Sequence, residues 1–487
     1  MLSDIYVLPK RSYEGTPDKP LEPTLFKPTL LMSSAVNGIE ERKRRKTHAT
    51  YSWCLPGCLV IIFLNVTIIP PLAFPSTPED EIAELKATIK ALQRRVEALE
   101  AQQETKETDS QEIQRPKDDS LLPVLKGDFP GSIKRPGSLM SFKVGGYVKL
   151  TGYKDTDFMP SGDLFIKTQI PVSGTPDSRK EGETRLNARQ SRINLDIRGP
   201  SPFGRGRGFI EGDFFGSDNT FQLRHAFLEL GHGLAGQSWS TFMDISAWPE
   251  YLEFEGPDGS IFALQGQFRW TQQFSDDLNV AIAIEDPNGD FTINGVADSD
   301  NENSKWPDVA SHIRHEFSWG HLQLGGLVRQ IRSDDGMGDT DDVIGWGTTL
   351  SGRIDPFGQD SIQFQGIYGE GVGRYITGLI GTGSDAAPDS AGNLKALAAG
   401  AFFAAYQHWW TDTLRSTVGG EYGVVDNSTG QPGTATKNWQ GAAINLVWNP
   451  LPRLLLGVEL NWGRYEVKDG RDGTAKRIQT STQFNFD

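Results

Sequence analysis

From Phe142 onwards, hydrophobic and polar residues alternate along many short segments of the chain. Between residues 192 and 198, Ile193, Leu195 and Ile197 oppose two arginines, an asparagine and an aspartate. This period of two residues predicts a β-strand with one apolar face and one polar face. The same alternation recurs at residues 279–285, 346–355, 442–449 and 454–462. The pattern therefore predicts an all-β protein with many antiparallel strands.

One continuous apolar run lies nearer the N-terminus. Residues 58–69 read CLVIIFLNVTII, follow a basic run at 42–46 and end at two prolines. This order is typical of a secretory signal peptide. The alternative is a membrane anchor, but a helix of about a dozen residues spans only about 18 Å of a roughly 30 Å hydrocarbon core. We expect a signal peptide over residues 32–76 and an over-extended start over residues 1–31.

A heptad pattern follows at residues 79–103 and predicts a short parallel coiled coil, and hence an oligomer. Its apolar a and d positions are Ile82, Leu85, Ile89, Leu92, Val96 and Leu99. β-Branched residues at a with leucine at d usually favour two strands. An amphipathic helix packed on the chain's own barrel is the alternative interpretation. Residues 104–141 are polar and contain prolines, which predicts a linker.

Alternating antiparallel strands occur both in soluble sandwiches and in membrane barrels. In a sandwich the apolar face lies in the core, whereas in a barrel it contacts lipid and the polar face lines a water-filled lumen. The secretory signal, the number of segments and the tryptophans near strand ends favour the barrel. Residues 142–487 suffice for about sixteen strands of about ten residues with their turns and loops.

Strict alternation between residues 221 and 230 assigns two faces to one further strand. Phe221, Leu223 and Phe227 fall on one face, and Gln222, Arg224 and Ala226 fall on the other. An arginine held against lipid near the midplane costs about 2–4 kcal/mol. We therefore expect the charged faces of all strands to line the lumen.

Long polar stretches between the strands are the candidate extracellular loops. They cover residues 160–183, 286–307, 333–342, 377–394 and 426–437. One of them, or the segment after Phe242, is expected to fold into the pore as a constriction. The aspartates at 334–342 match no calcium-ligand spacing, and the GRGRG run at 204–208 lacks a nucleotide-binding context. We expect solvated surface and a turn, respectively.

Composition and charge exclude several classes of protein. The chain has 487 residues, of which 37% are hydrophobic, and a mean hydropathy of −0.41, which leaves no room for several transmembrane helices. Its 54 glycines and 10% aromatic residues suit tight turns and aromatic girdles. The net charge of −15 argues against a nucleic-acid partner. Both cysteines, Cys54 and Cys58, precede the expected mature chain, so no disulfide, cysteine-based metal site or cofactor is expected there.

The candidate functional signal is a set of inward-facing arginines. By alternation or by nearby pattern, the candidates are Arg185, Arg189, Arg192, Arg198, Arg224, Arg269, Arg314, Arg329 and Arg353. A narrow lumen lined by guanidinium groups attracts small anions, and arginine pairs bidentately with carboxylates. The alternative is that each arginine pairs with a lumen acid, such as Asp196 or Glu211, and only braces the wall. The sequence leaves both interpretations open.

Four phrases in close succession carry a family resemblance. They are FIEGDFFG at 209–216, LRHAFLELG at 223–231, LAGQSWSTFMD at 234–244 and PEYLEFEGP at 249–257. Together they resemble the DcaP-like trimeric porins of Gram-negative outer membranes, and GGYVK at 145–149 resembles the first strand of that family. The resemblance implies sixteen strands, an N-terminal helix that trimerises in the periplasm, and passage of dicarboxylic and other small anionic solutes. Many such barrels end on an aromatic residue, whereas here Asp487 follows Phe486.

We therefore expect a trimeric outer-membrane β-barrel porin of about sixteen antiparallel strands with an N-terminal α-helical coiled coil in the periplasm. Its expected partners are two further copies of the chain, outer-membrane lipids, the barrel-assembly machinery and small anionic solutes. Two other classes were weighed: a barrel-embedded, lipase-like enzyme and a secreted β-rich adhesin. For the enzyme, Ser238 or Ser240 near His232 is the nearby combination of serine and histidine, and it lacks an orienting motif.

Overall fold

The computed structural model of the protein describes residues 125–293, 296–298, 304–334 and 340–486, without the side chains of 291, 293, 296–298 and 334. The predicted signal peptide and coiled coil lie outside these residues. Sixteen antiparallel strands form a closed barrel, and the pairing of the last strand with the first, as at Ser481 and Thr151, closes it. The predicted strand number is confirmed. No helix in the described ranges is long and apolar enough to cross a bilayer.

The strands are numbered along the chain. They are β1 Ser141–Asp155, β2 Arg192–Ser201, β3 Gly204–Asp213, β4 Gln222–Leu230, β5 Gly233–Trp239, β6 Leu264–Gln273, β7 Leu278–Glu285, β8 Asp308–Phe317, β9 Gly320–Asp334, β10 Thr340–Ile354, β11 Ser361–Glu370, β12 Ala398–Thr411, β13 Leu414–Val425, β14 Thr436–Leu451, β15 Leu454–Val467 and β16 Asp472–Asn485. Three short strands, Leu125–Lys126, Ile133–Lys134 and Thr184–Asn187, extend the same sheet. Four more, Phe291–Ile293, Val296–Asp298, Ala386–Pro388 and Leu394–Ala396, form a small separate sheet.

The connections alternate between a short-turn end and a long-loop end. Pro202 and Phe203 alone join β2 to β3, and Pro452 and Arg453 join β14 to β15. The connections at the other end are L1 156–191, L2 214–221, L3 240–263, L4 286–307, L5 335–339, L6 371–397, L7 426–435 and L8 468–471. Because the strands run alternately up and down, β1 begins and β16 ends at the short-turn end.

The outward face of the barrel is apolar, as the alternation predicted. On β7, Ile282 is 54% exposed, whereas the flanking Ala281 and Ala283 are buried. On β14, Ile444 is exposed and Asn445 is buried. A continuous band of exposed apolar side chains is stable against lipid and not against water, so this face of the wall is the membrane-contacting one.

Strand β4 contains a β-bulge that strict alternation did not reveal. Glu211 on β3 pairs with His225, but the next residue, Gly212, pairs with Leu223. Arg224 is therefore one extra residue on β4, which is the definition of a bulge. The bulge lets Arg224 and His225 both be buried on the lumen side.

The bulge reverses the faces of all later residues of β4. Phe227 pairs with Phe209, and their rings lie 5.5 Å apart. Ala226 pairs with Ile210, which is exposed on the outside. The prediction that Phe227 faces lipid and that Ala226 shares the face of Arg224 is therefore wrong, because a period of two residues cannot register an inserted residue.

The hydrophobic core lies inside the barrel. L1, L3 and L6 fold into the lumen and contribute buried side chains such as Phe165, Phe242 and Tyr375. The wall of β14 contributes Trp439, which is fully buried. Gly423 on β13 makes room for that indole, since a Cβ atom there would collide with it. The lumen is therefore partly filled, and its free space is set by where these loops are attached.

We expect Ile282→Arg to destabilise the barrel by about 2–4 kcal/mol, because it places a guanidinium group against lipid near the middle of a strand. The matched control is Thr271→Arg on the adjacent β6, whose side chain shares the lumen side with Ala281. Urea unfolding of the protein refolded in lipid bilayers measures both. Equal destabilisation by the two substitutions would contradict the assignment of the outer face.

Candidate functional site

The beginning of L3 is attached to the wall formed by β7 to β10. Glu285 accepts hydrogen bonds from the Ser240 hydroxyl at 2.6 Å and from the Thr241 backbone N–H at 2.7 Å. Asp244 accepts hydrogen bonds from Arg314 at 3.0 Å and from Ser351 at 2.8 Å. Both attachments are buried. Because each uses a charged acceptor, they hold this part of L3 more strongly than neutral hydrogen bonds do.

The Asp244 carboxyl also contacts a histidine. His321 Nε2 lies 2.9 Å from Asp244 Oδ2. Burial opposes ionisation of Asp244, but the hydrogen bonds from His321 and Ser351 and the charge of Arg314 outweigh it and lower the pKa of Asp244. Asp244 is therefore an anion that holds three wall residues at once.

The middle of L3 crosses to the wall formed by β13 to β15. Glu459 accepts the backbone N–H groups of Leu252 at 2.6 Å and of Glu253 at 3.0 Å. Arg415 forms a bidentate ion pair with Glu250. Burial raises the pKa of the Glu253 carboxyl, although Arg477, 3.7 Å away, opposes this effect. One carboxylate on β15 thus fixes two consecutive backbone groups of the loop.

The end of L3 is fixed together with L1. Glu421 accepts the Gly259 backbone N–H at 2.6 Å and pairs with Lys167 of L1 at 2.8 Å. Asp258 accepts the Lys167 backbone N–H at 2.5 Å. Burial lowers the pKa of the Lys167 ammonium, but Asp258 and Glu421 more than offset this and raise it. The two loops are therefore tied to each other and to β13.

With L3 attached to these walls, partly exposed arginines lie on the β2 to β4 side of the lumen, and Arg314 on β8 and Arg353 on β10 are partly exposed as well. The Arg192 and Arg198 side chains are 20% and 39% exposed. The Arg329 and Arg477 side chains, which hold loops on the other walls, are fully buried. We call the lumen face of β2 to β6 the arginine wall.

The first group of the arginine wall faces L3. Arg192 pairs with Glu211 at 3.3 Å, and Arg224 pairs with Asp213 at 3.1 Å. Both guanidinium groups lie over the ring of Phe254 in L3, at 5.7 and 5.3 Å from its centre. Two cations of the arginine wall are therefore held against an aromatic ring of L3.

Phe254 is itself part of a longer stack. Its ring stacks on Phe215 of L2, with centres 4.6 Å apart and planes 12° apart. The Arg189 guanidinium group lies over the Phe215 ring, 3.9 Å from its centre, and forms an ion pair with Asp163 of L1 at 3.2 Å. Three loops thus meet at the arginine wall through alternating guanidinium and aromatic planes.

The second group of the arginine wall lies at the short-turn end. Asp196 pairs with Arg198 at 2.6 Å and with Arg207 at 3.1 Å. Arg207 also lies 3.5 Å from Glu229. A cavity of about 510 Å³ adjoins these residues and is lined as well by Arg205 and Arg269.

The nine predicted arginines thus lie in several different parts of the barrel. Arg192 and Arg224 face L3, and Arg198 and Arg269 face the short-turn cavity. Arg185 and Arg189 belong to L1 and pair with Glu183 and Asp163, and Arg314 and Arg329 hold L3 and L6 through Asp244 and Asp385. Arg353 pairs with Asp355 at the rim of the short-turn end. Among the described side chains, Arg269 alone of the nine lacks an ion-pair or hydrogen-bond partner.

Sequence reasoning missed two residues of the arginine wall, Arg205 and Arg207, and Phe254 of L3. The GRGRG run at 204–208, predicted to be a turn, begins β3, and this places Arg205 and Arg207 beside Arg198. Alternation could have predicted Arg207, because it lies two residues from Phe209 and four from Glu211 and therefore shares their face of the strand. Phe254 had no such signal, because L3 is not a strand.

The serine and histidine combination weighed for a lipase is not formed. The Ser240 hydroxyl donates to Glu285. The ring of His232, in the turn between β4 and β5, contacts the Thr271 carbonyl at 2.9 Å and stacks on Trp270. Ser240 follows the other end of β5, so the two side chains lie at opposite ends of this strand.

Comparisons with known proteins agree with this architecture. A sequence profile described as DcaP outer membrane protein matches residues 154–486. The crystal structure of the outer membrane channel DcaP of Acinetobacter baumannii has a TM-score of 0.62 at 20% identity, covering 71% of this chain and 97% of that one. No curated protein matches the sequence.

Other solved porins resemble the fold more weakly. The anion-selective porin from Comamonas acidovorans has a TM-score of 0.48 at 8% identity, covering 71% of this chain and 100% of that chain. OmpT of Vibrio cholerae has a TM-score of 0.46 at 13% identity, covering 74% of this chain and 100% of that chain. The profile match extends over most of the chain and over nearly the whole barrel. The chain therefore belongs to the DcaP outer membrane protein family, and its barrel has the fold of the outer membrane channel DcaP.

Proposed function

We propose that the protein is a porin through which small anions, dicarboxylates among them, diffuse passively. Selection occurs where L3 approaches the arginine wall, by the width of the lumen and by the charge of its lining. No covalent step and no cofactor are involved. Arg192 and Arg224 line the narrowest part, opposite Phe254.

The observation that carries this proposal is the unequal exposure of the two members of the ion pairs. The Arg192 side chain is 20% exposed and that of its partner Glu211 is 12% exposed. The Arg198 side chain is 39% exposed and that of Asp196 is 9% exposed. In these two pairs the arginine side chain is thus more exposed than its carboxylate partner, whereas Arg207 and Glu229 are 30% and 36% exposed. A diffusing solute therefore meets the cation first, although each pair is neutral as a whole.

The aromatic contacts strengthen this arrangement. A guanidinium group stacked on a ring keeps its edge N–H groups free for an incoming carboxylate. Stacking also restricts the side chain before the solute arrives, so less conformational freedom is lost when the solute binds. The bond remains weak, because the site is wet and salt screens it. Weak binding suits a channel, which must release each solute.

We further propose a homotrimer with the coiled coil of residues 79–103 in the periplasm. The heptad positions support association of parallel chains, and family membership supports three of them. A coiled coil of three heptads is marginally stable alone, so the interface between barrels contributes most of the association free energy.

Changing Arg192, Arg198 and Arg224 to alanine together should lower the anion-to-cation permeability ratio by about tenfold. The reason is that Glu211 and Asp213 then remain as uncompensated carboxylates, while Asp196 keeps only Arg207 as its partner. The measurement is the reversal potential of single channels in a salt gradient. Because Arg224 is buried, the single change Arg198→Gln serves as the variant that folds most safely, with a smaller shift in the same direction.

The charge-matched control changes Arg453, Arg464 and Arg471, which lie at turns or strand ends away from the arginine wall, to alanine. It should leave the permeability ratio unchanged. Wild-type protein that forms no channels, or that prefers cations, would overturn the proposed function. An unchanged ratio in the triple variant of the arginine wall would show that these residues only brace the barrel.

Glu459→Gln should raise the single-channel conductance and its noise, because L3 loses a charged acceptor that holds two of its backbone N–H groups. Hydrogen bonds to charged groups contribute about 1.5–3 kcal/mol, enough to free the middle of the loop for part of the time. Glu466→Gln on the same strand is the control, since Glu466 pairs with Lys437 at 2.7 Å and does not touch L3. Identical conductance in both variants would refute the role of Glu459 in holding the loop.

Replacing Ile89 and Leu92 by aspartate should lower the temperature at which trimers dissociate in detergent, since both residues occupy core positions of the heptads. Ala91→Asp, at a solvent-facing heptad position, should leave that temperature unchanged. Native mass spectrometry and gel mobility after heating measure both. Monomeric wild-type protein would exclude the trimer, and equal effects of core and surface changes would exclude the coiled coil.

A further inference from the structure

The cavity at the short-turn end is built by one lateral row of residues across the arginine wall. In the backbone register of the sheet, Arg198 on β2 lies opposite Arg207 on β3, and Arg207 lies opposite Glu229 on β4. Glu229 pairs with Leu234 on β5, which pairs with Arg269 on β6. Directly paired residues share one face of a sheet, so all five side chains lie on the lumen face in one row across neighbouring strands.

This row carries more positive than negative charge. Four guanidinium groups line the cavity, those of Arg198, Arg205, Arg207 and Arg269. Two carboxylates form ion pairs with Arg207. Asp196 lies two residues before Arg198 on β2, and Glu229 belongs to the row itself. Neither Arg205 nor Arg269 has an ion-pair or hydrogen-bond partner within the described part of the chain. The pKa of Asp128 is lowered first by its hydrogen bond with Lys134, 2.7 Å away, and least by the charge of Arg205.

The charge balance near L3 is different. There, Arg192 is matched by Glu211 and Arg224 by Asp213, one to one. The surplus of two positive charges therefore lies elsewhere, six residues further along β2. At about 3.3 Å per residue, the two groups are roughly 20 Å apart, which exceeds the Debye length of about 8 Å at physiological ionic strength. The short-turn cavity is thus electrostatically a separate site.

The size and lining of the cavity define the ligand. About 510 Å³ is at the lower end of the range of small-molecule sites. Thr271 and Gln273 add uncharged polar groups beside the guanidinium groups. Two guanidinium groups without a carboxylate partner match an anion with two negative charges, since arginine favours bidentate oxyanion contacts.

We propose that this cavity is a binding site for small dianions at the short-turn mouth, distinct from the narrow part of the lumen at L3. The proposal rests on the passage of anions proposed above and adds a second station on their route. A dianion that has passed L3 is held here by Arg205 and Arg269 before it leaves. Two stations of moderate affinity allow each ion to be released more readily than one tight site would.

Sulfate is the probe, because it carries two negative charges throughout the neutral pH range. Isothermal titration calorimetry of the mature protein in detergent at low ionic strength measures its binding. Changing Arg205 and Arg269 to glutamine together should weaken sulfate binding by at least about tenfold, since both unmatched charges are removed. Neither side chain makes an ion pair that the wall requires, so the variant should fold.

The control removes two arginines from other places. Arg453→Gln combined with Arg471→Gln lowers the net charge equally, at the turn between β14 and β15 and in L8, and should leave sulfate affinity unchanged. Equal weakening in both double variants would overturn the proposal, since it would indicate a response to net charge only. Unchanged affinity in the Arg205 and Arg269 variant would also overturn it.

The outcomes separate this site from the proposed function. Channels that prefer anions, with sulfate affinity that is the same in wild type and in the Arg205 and Arg269 variant, would refute the second station alone. Protein that binds sulfate through these two arginines but forms no anion-preferring channel would refute the porin function and leave the site.

Discussion

Closure of the sheet is the constraint on which the rest of this structure depends. Within a bilayer no water is available to the backbone, so every N–H and C=O group of the wall needs a partner in the protein. The pairing of β16 with β1 removes the last free edges. Closure also decides which face of each strand meets lipid. Once the apolar faces point outwards, as at Ile282 and Ile444, the core has to form on the other side of the wall, within the lumen.

A lumen that holds both water and a core needs loops that are firmly attached. L3 achieves this with buried carboxylates on three strands, Glu285, Glu421 and Glu459, each of which accepts a backbone N–H of the loop. Burying a charge costs free energy unless it is fully hydrogen-bonded. These acids meet that condition because the loop offers N–H groups in a fixed geometry.

The arginines of the lumen therefore serve two different purposes. Arg329 and Arg477 are fully buried and join loops to the wall, Arg329 through Asp385 of L6 and Arg477 through the backbone carbonyls of Gly162 and Asp163 in L1. Arg192 and Arg198 also have carboxylate partners, yet they remain partly exposed to the lumen. Bracing and lining are thus compatible in one residue, because a guanidinium group has enough N–H donors to pair with an acid and to meet a solute. What distinguishes the two purposes is the position of the loops.

The sequence by itself determined the class of fold, the sixteen strands and the outward faces of strands such as β7 and β14, because a period of two residues is local information. It also carried the family resemblance. Only the tertiary structure decided the bulge at Arg224, the partner of each arginine, the position of Phe254 and the row that brings Arg198 and Arg207 to Arg269. The physical reason is that register, loop attachment and ion pairing join residues far apart in the chain, and no local pattern specifies which of many acids an arginine will meet.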